Sequence, residues 1–260
     1  MKKFAYFTIV GVVVVGIITY TGYKGIKFAK NKIDNYVIGK VYLAMNYYTT
    51  NVLQARNIIA CEESAKFINE FMPKVQSFSD RLILLKESVR NVDKKINGLY
   101  CEFGVASGDT INYIASLVDV QIHGFDSFEG LPEDWRDGFP KGTFNMDNLP
   151  KVRSNVVLHK GWFNESLPKF KEAYNAPLSF LHMDADLYSS TKVVFEILGD
   201  RIVPGTVIQF DDFFNYPGWK DNEYKAFMEF VRAHKVKYQF IGYTPHEQVA
   251  VKILEISQPN

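Results

Sequence analysis

Apolar positions along this chain change period once, and the change divides the sequence in two. From residue 24 to about 98 they recur at helical spacing. Val37, Val41, Ala44 and Tyr48 form one stripe, and Phe67, Ile68 and Phe71 begin another. Recurrence every three to four residues predicts amphipathic helices, and Pro73 breaks the run. A second helix is predicted to open at Ser79, with Leu82, Leu85 and Val89 on one face. From Gly98 onward, short apolar runs alternate with helical stretches. Strands are predicted near 99–104, 121–125, 155–159, 178–184 and 205–210, and helices near 108–118, 164–174, 189–200 and 221–234. Such alternation predicts an α/β fold, a mainly parallel sheet with helices on both faces. The end differs. Tyr238-Gln-Phe-Ile-Gly-Tyr and Gln248-Val-Ala-Val-Lys-Ile-Leu flank Thr244-Pro-His-Glu, which predicts an antiparallel strand pair closing the sheet.

The N-terminus carries a different pattern. Phe4 to Tyr23 has no charged residue; Lys2 and Lys3 precede it, and Lys24, Lys27, Lys30 and Lys32 follow it. About 20 mainly apolar residues suffice for a membrane-crossing helix. Residues 1–32 are therefore expected to be a single-pass membrane anchor with a basic flank. A cleaved secretory signal and a buried core helix are the alternatives, although no small-x-small cleavage site follows. The lysine excess on the C-terminal flank predicts that the following domain is cytoplasmic. Residues 33–97 read as a helical extension: a stalk, a lid, or a dimerisation surface that would make a homo-oligomer.

Composition narrows the class without naming it. The 260 residues carry a formal net charge of +1 and are 47% apolar, which suits one α/β domain with an extension. A near-neutral balance supplies no basic stripe, so nucleic acid is not an expected partner. The two cysteines, Cys61 and Cys101, offer no disulfide framework and no Cys/His metal spacing. Cys101 lies inside an apolar run and reads as a buried thiol.

Acids at the ends of the predicted strands carry the chemistry. They are Glu102, Asp126, Asp184 and the pair Asp211-Asp212. In open α/β sheets, ligands bind beyond the carboxyl ends of the strands. After the first strand, Glu102-Phe-Gly-Val-Ala-Ser-Gly-Asp-Thr110 places glycines at 104 and 108, for a tight turn before a helix N-terminus. Ala106 stands where a dinucleotide loop needs its second glycine, and no Walker lysine is present. A carboxylate at Glu102 suits an ammonium group, and Asp126 stands at the spacing from which an acid reaches ribose hydroxyls. Ammonium, carboxylate and ribose together describe S-adenosylmethionine better than NAD. For Asp126, capping of the next helix is the alternative role.

Glu-Phe-Gly-Val-Ala-Ser-Gly-Asp-Thr (102–110), Gly-Phe-Asp-Ser-Phe-Glu-Gly-Leu-Pro (124–132), Asp-Ala-Asp-Leu-Tyr (184–188) and Asp-Asp-Phe (211–213) resemble the macrocin O-methyltransferase family. The resemblance spans roughly residues 80–255 and implies a class I, Rossmann-like methyltransferase domain over 98–260. It also implies use of S-adenosylmethionine and magnesium to methylate sugar hydroxyls. The cofactor residues it implies are Glu102, Gly104, Ser107, Asp126 and Phe128, with the Lys160–Phe163 loop, where Trp162 would border the adenine. Gly108, Thr110, Ser127 and Gly161 are expected at the cofactor with them.

Asp184, Asp211 and Asp212 present hard oxygen ligands of the kind that suits Mg²⁺ rather than zinc. A cation on an alcohol lowers its pKa and fixes its position, and a carboxylate then accepts the proton. Asp184, which the resemblance also points to, and Asp186 are the two candidates for that base. Catechol-type relatives place a lysine three residues after the first metal ligand; here that residue is Leu187. His182 reads as a satisfied core histidine. Asn145, Asp147, Tyr216, Trp219 and Glu223 are expected in rim loops. Tyr216-Pro-Gly-Trp219 is either a surface for a sugar ring or a turn packed on the sheet. Asn164-Glu-Ser166 matches a glycosylation sequon and reads as coincidence. The acceptor expected is a hydroxyl of a small molecule, glycoside, glycolipid or other glycan. A non-catalytic binding module and an NAD-type oxidoreductase are the competing functions.

Overall fold

The computed structural model describes residues 32–41 and 51–257, in two units, Met1–Arg56 and Asn57–Asn260. In the first unit, residues 32–41 are helical and almost wholly exposed. Asn51 accepts hydrogen bonds from the Leu53 and Gln54 amides at 3.0 and 3.3 Å, capping helix α1 (Val52–Phe71).

The expected membrane anchor needs correction. Among the described residues, no helix is long and apolar enough to cross a membrane. The Phe4–Tyr23 segment that suggested the anchor, with the cytoplasmic orientation built on it, lies outside the described residues.

In the second unit the chain runs through α2 (Arg81–Asn91), β1 (Leu99–Phe103), α3 (Asp109–Leu117), β2 (Ile122–Asp126), β3 (Val156–Lys160) and α4 (Phe163–Ala173). It continues through β4 (Leu178–Met183), α5 (Tyr188–Leu198), β5 (Ile202–Phe210), α6 (Glu223–Ala233), β6 (Lys237–Tyr243) and β7 (Val249–Glu255). The seven strands lie in the order β3-β2-β1-β4-β5-β7-β6. Strands β1 to β5 pair in parallel, and β7 is antiparallel to both β5 and β6. This is a Rossmann-like sheet, with the expected antiparallel pair at its C-terminal edge.

Burial explains why these runs form strands. All six residues of β4 are buried, as are Cys101, Glu102 and Phe103 in β1, so the central strands read as continuous rather than alternating apolar runs. Burial also pushes the Cys101 thiol well above its ordinary value. β5 begins earlier than expected, because Ile202 pairs with Leu178 before a register shift at Leu178/Phe180. Phe67 of α1 packs among the rings of Phe213, Trp219, Tyr224 and Phe240 at centroid distances of 5.6–6.0 Å. α2 is capped by Asp80, whose carboxylate accepts from the Leu82 and Ile83 amides at 3.0 Å each. It buries Leu84, Leu85 and Val89 and leaves Arg81 at the edge of a cavity.

Strand order reverses between β1 and β4, so the crevice beyond their carboxyl ends is where this topology opens a site.

Candidate functional site

Backbone hydrogen bonds continue past the strand ends and fix the loops that bear the acids. The Gly104 amide donates to the Phe125 carbonyl, Asp184 to Phe103, Asp211 to Met183, and Gly161 to Asp126, at 2.8–2.9 Å. Each loop therefore leaves the sheet at a defined place. Gly104 adopts φ +90°, and a Cβ there would collide with the Asp184 carbonyl. Glycine is thus required for β1 and β4 to bring their loops this close.

Above these ends lies a cavity of about 680 Å³, a volume typical of small-molecule sites. It is lined by Gly104–Ser107, Thr110, Asp126, Ser127 and Trp162, and by Asp184, Asp186, Asp211 and Asp212. The segment after β2 adds Leu131, Trp135, Arg136, Phe139, Phe144 and Met146. Of the residues expected at the cofactor, Glu102, Gly108, Phe128 and Gly161 do not line the cavity.

Glu102 is fully buried beneath it. Its Oε1 accepts from the Thr110 hydroxyl at 3.0 Å, and its Oε2 stands 3.1 Å from His182 Nδ1. Burial raises its pKa, opposed by His182 and Thr110. Asp126 closes the β1 loop: Oδ2 accepts from the Val105 and Ala106 amides at 2.8 Å each, and Oδ1 from Phe128 at 2.6 Å. Those bonds occupy Oδ2, whereas Oδ1, with one bond, retains acceptor capacity.

The acids form two groups that share Asp184. In one, ligand atoms of Asp184, Asp186 and Asp212 lie within 4.8 Å of one another; in the other, those of His182, Asp184 and Asp211 do. Burial, reinforced by mutual repulsion, pushes Asp184 and Asp212 well above the ordinary carboxylate range. Burial likewise lifts Asp186 to about 7, although Asp212 and Arg136 oppose it. Asp211 is the exception. Burial would raise it, but His182 and Arg81 outweigh burial and hold it below its usual value. Arg81 Nη1 stands 3.2 Å from Asp211 Oδ2, while Oδ1 is buried with no hydrogen-bond partner.

Sequence reasoning missed several members of this site. Glu223, expected in a rim loop, is fully buried at the start of α6. Its two oxygens accept from the Ala185 amide at 3.0 Å and the Asp212 amide at 3.3 Å, joining the two acid-bearing loops. Burial lifts its carboxyl to about 8. Arg136 Nη1 donates to both oxygens of Glu247 at 3.0 Å, and Nη2 lies 3.8 Å from Asp212 Oδ1. Its guanidinium sits 3.9 Å from the Trp135 ring and 4.5 Å from that of Tyr216. The sequence placed Glu223 at the rim but not in this bridging role, and nothing in the pattern singled out Arg81 or Arg136. Trp219 and Tyr216 are buried and do not line the cavity, so the packed-turn alternative holds for Tyr216–Trp219. Met146, rather than Asn145 or Asp147, reaches the cavity.

Residues 101–213 match the family model described as "Methyltransferase domain". A Streptomyces olivaceus protein named 8-demethyl-8-(2,3-dimethoxy-alpha-L-rhamnosyl)-tetracenomycin-C 4'-O-methyltransferase is 32% identical over 108 residues. That alignment takes in 34% of this chain, which spans 40% of the relative's length. Among solved structures, CalS11, a calicheamicin methyltransferase, superposes with a TM-score of 0.52 at 22% identity. The match covers 66% of this chain and 77% of CalS11. The O-methyltransferase NovP gives 0.50 at 23% identity, over 67% and 80% of the two chains. At such identities these structures speak to the fold. Strand order and family match agree over the same stretch: residues 101–213 match a methyltransferase domain and form the parallel part of the sheet.

Proposed function

We propose that the protein is an S-adenosylmethionine-dependent O-methyltransferase whose acceptor is a hydroxyl of a sugar or glycoside, and that it works with a Mg²⁺-type cation. One observation carries this reading: a glycine-turned loop with Asp126 and Trp162 lines a single cavity together with four aspartates. The family match and the sugar O-methyltransferase named among its relatives support the reaction class.

The cofactor is proposed to lie along Gly104–Thr110, with Asp126 Oδ1 and Ser127 toward its ribose and Trp162 at its adenine. Glu102 would act through Thr110, since it does not line the cavity. Asp184, Asp211 and Asp212 are the proposed cation ligands. Their donors are hard carboxylate oxygens, as Mg²⁺ prefers. Burial and mutual repulsion lift Asp184 and Asp212, and Asp211 Oδ1 lacks a partner, so the cluster is short of positive charge. A bound cation would lower the pKa of the acceptor hydroxyl.

Bound S-adenosylmethionine would supply a sulfonium methyl to the acceptor oxygen, the carbon–sulfur bond breaking as the carbon–oxygen bond forms, to give a methyl ether and S-adenosylhomocysteine. The hydroxyl proton would pass to a carboxylate. Asp186, lifted to about 7, is matched to proton transfer near neutral pH, and Asp184 adjoins it. Glu223 holds both loops in place.

Incubation with methyl-labelled S-adenosylmethionine, Mg²⁺ and a panel of glycosides tests the reading. Label should appear in a methyl ether and vanish with EDTA or in Asp184→Asn. Asp186→Asn should lose transfer but keep cation binding. Transfer that survives in Asp184→Asn would overturn the site assignment.

A further inference from the structure

A row of buried polar side chains runs across the sheet beneath the cavity. Register pairs Glu102 with His182, and His182 with Gln209, so the three are neighbours on adjacent strands β1, β4 and β5. All three are fully buried. Helices cover the row: Thr110 of α3 donates to Glu102, and Ser88 of α2 donates to Gln209 Oε1 at 2.8 Å.

His182 sits at the centre of the row with one ring nitrogen committed and one not. Nδ1 stands 3.1 Å from Glu102 Oε2, which fixes the plane of the ring. Nε2 is buried, has no hydrogen-bond partner, and faces Asp211 Oδ1 at 3.8 Å. That oxygen is also buried and unpartnered. Two complementary polar atoms, each costing about 1–3 kcal/mol while unpaired, thus face each other just outside hydrogen-bond range. A shift of about 1 Å would satisfy both. Nε2 can donate in either of two arrangements: as an imidazolium, or as the neutral ring with Nδ1 accepting from a protonated Glu102.

We propose that His182 is a positioning residue: braced by Glu102, it donates from Nε2 to Asp211 Oδ1 and so aims the other Asp211 oxygen at the cation. The inference rests on the proposed cation site. Arg81 now holds that other oxygen, and Arg81 is half-exposed at the cavity wall. A cation competes with Arg81 for Asp211 Oδ2, whereas His182 keeps its grip from below. Hydrogen-bonded partners of metal ligands orient those ligands in this way, and their loss typically costs about 10- to 100-fold in metal affinity.

Mn²⁺ titration of the full chain, followed by electron paramagnetic resonance, tests this. The wild type should bind Mn²⁺; failure to bind would remove the cation site itself and the inference with it. His182→Leu, which keeps bulk but donates nothing, should weaken Mn²⁺ about 10- to 100-fold. Its S-adenosylmethionine affinity, measured by calorimetry, should stay unchanged. His182→Gln, which retains an N–H donor, should recover most of the Mn²⁺ affinity. If His182→Leu does not fold, as judged by thermal melting, His182→Met replaces it. That variant also lacks a donor and should weaken Mn²⁺ in the same direction. Unchanged Mn²⁺ affinity in a folded variant, or parallel loss of Mn²⁺ and S-adenosylmethionine, would overturn the proposal. So would pulsed-resonance coupling to a directly bound nitrogen, which would make His182 a ligand instead.

Discussion

Stability of the cation-free protein should fall as pH rises through neutrality, and a divalent cation should remove that dependence. The cause is the crowding of buried carboxyls around Asp184 and Asp212. Burial lifts Glu223 from 4.5 to about 8 and Asp186 from 3.8 to about 7. An acid whose pKa is raised on folding favours its protonated form in the native state. It costs nothing below its unfolded pKa, and stability is lost as pH rises toward the folded value. One pKa unit corresponds to about 1.4 kcal/mol. Integrated between about pH 6.5 and about pH 8.5, the two carboxyls together remove roughly 3 kcal/mol. For a unit of this size that lowers Tm by about 6–12 °C. Scanning calorimetry in EDTA, repeated across that range, measures the slope. Saturating Mg²⁺ should raise Tm more at the alkaline end, because neutralised carboxylates no longer need their protons. A flat Tm in EDTA, or a Mg²⁺ effect independent of pH, would refute the electrostatic account of the cluster.

Three further outcomes are expected. Asp211→Asn should abolish methyl transfer while leaving S-adenosylmethionine affinity within about threefold, whereas Asp126→Asn should weaken the cofactor by releasing the Val105 and Ala106 amides. Calorimetric titration distinguishes them, and equal loss of cofactor binding in both would refute the division of the cavity. Gly104→Ala should cost about 2–4 kcal/mol in urea unfolding, because its Cβ meets the Asp184 carbonyl at φ +90°; a change under about 0.5 kcal/mol would show that the loops can separate. His123, whose pKa burial and His159 lower to about 4, should make the fold acid-sensitive. Its contribution is present above its unfolded pKa of about 6.5 and is lost as pH falls toward 4, by up to about 3 kcal/mol. His123→Phe should flatten that loss of Tm, and an unchanged acid limb would place the sensitivity elsewhere.

The sheet was legible because its central strands are buried on both faces and read as mainly apolar runs: in Leu178–Met183 only Ser179 and His182 are polar, one on each face. The strand-end acids were legible because each ends such a run. Contacts that cross long stretches of chain were not. Arg81 meets Asp211 across 130 residues, and Arg136 meets Glu247 across 111, with no local pattern to announce either. Glu223 was expected in a rim loop, yet it is buried at a helix start with both of its oxygens spent on the loops carrying Asp184 and Asp212. Trp219 beside Pro-Gly suited either a ligand platform or a packed turn, and only the rings of Phe67 and Tyr224 around it decide between them. Glu102 was placed on the right strand end, but its side chain turns into the sheet toward His182 rather than into the cavity.

Calorimetric titration of the full chain with S-adenosylmethionine in the presence of Mg²⁺ tests the central claim most directly. The account predicts saturable binding at one site, weakened at least tenfold by Asp126→Ala and retained in Asp211→Asn. Absence of binding at millimolar cofactor, in a protein shown to be folded by its melting transition, would contradict it.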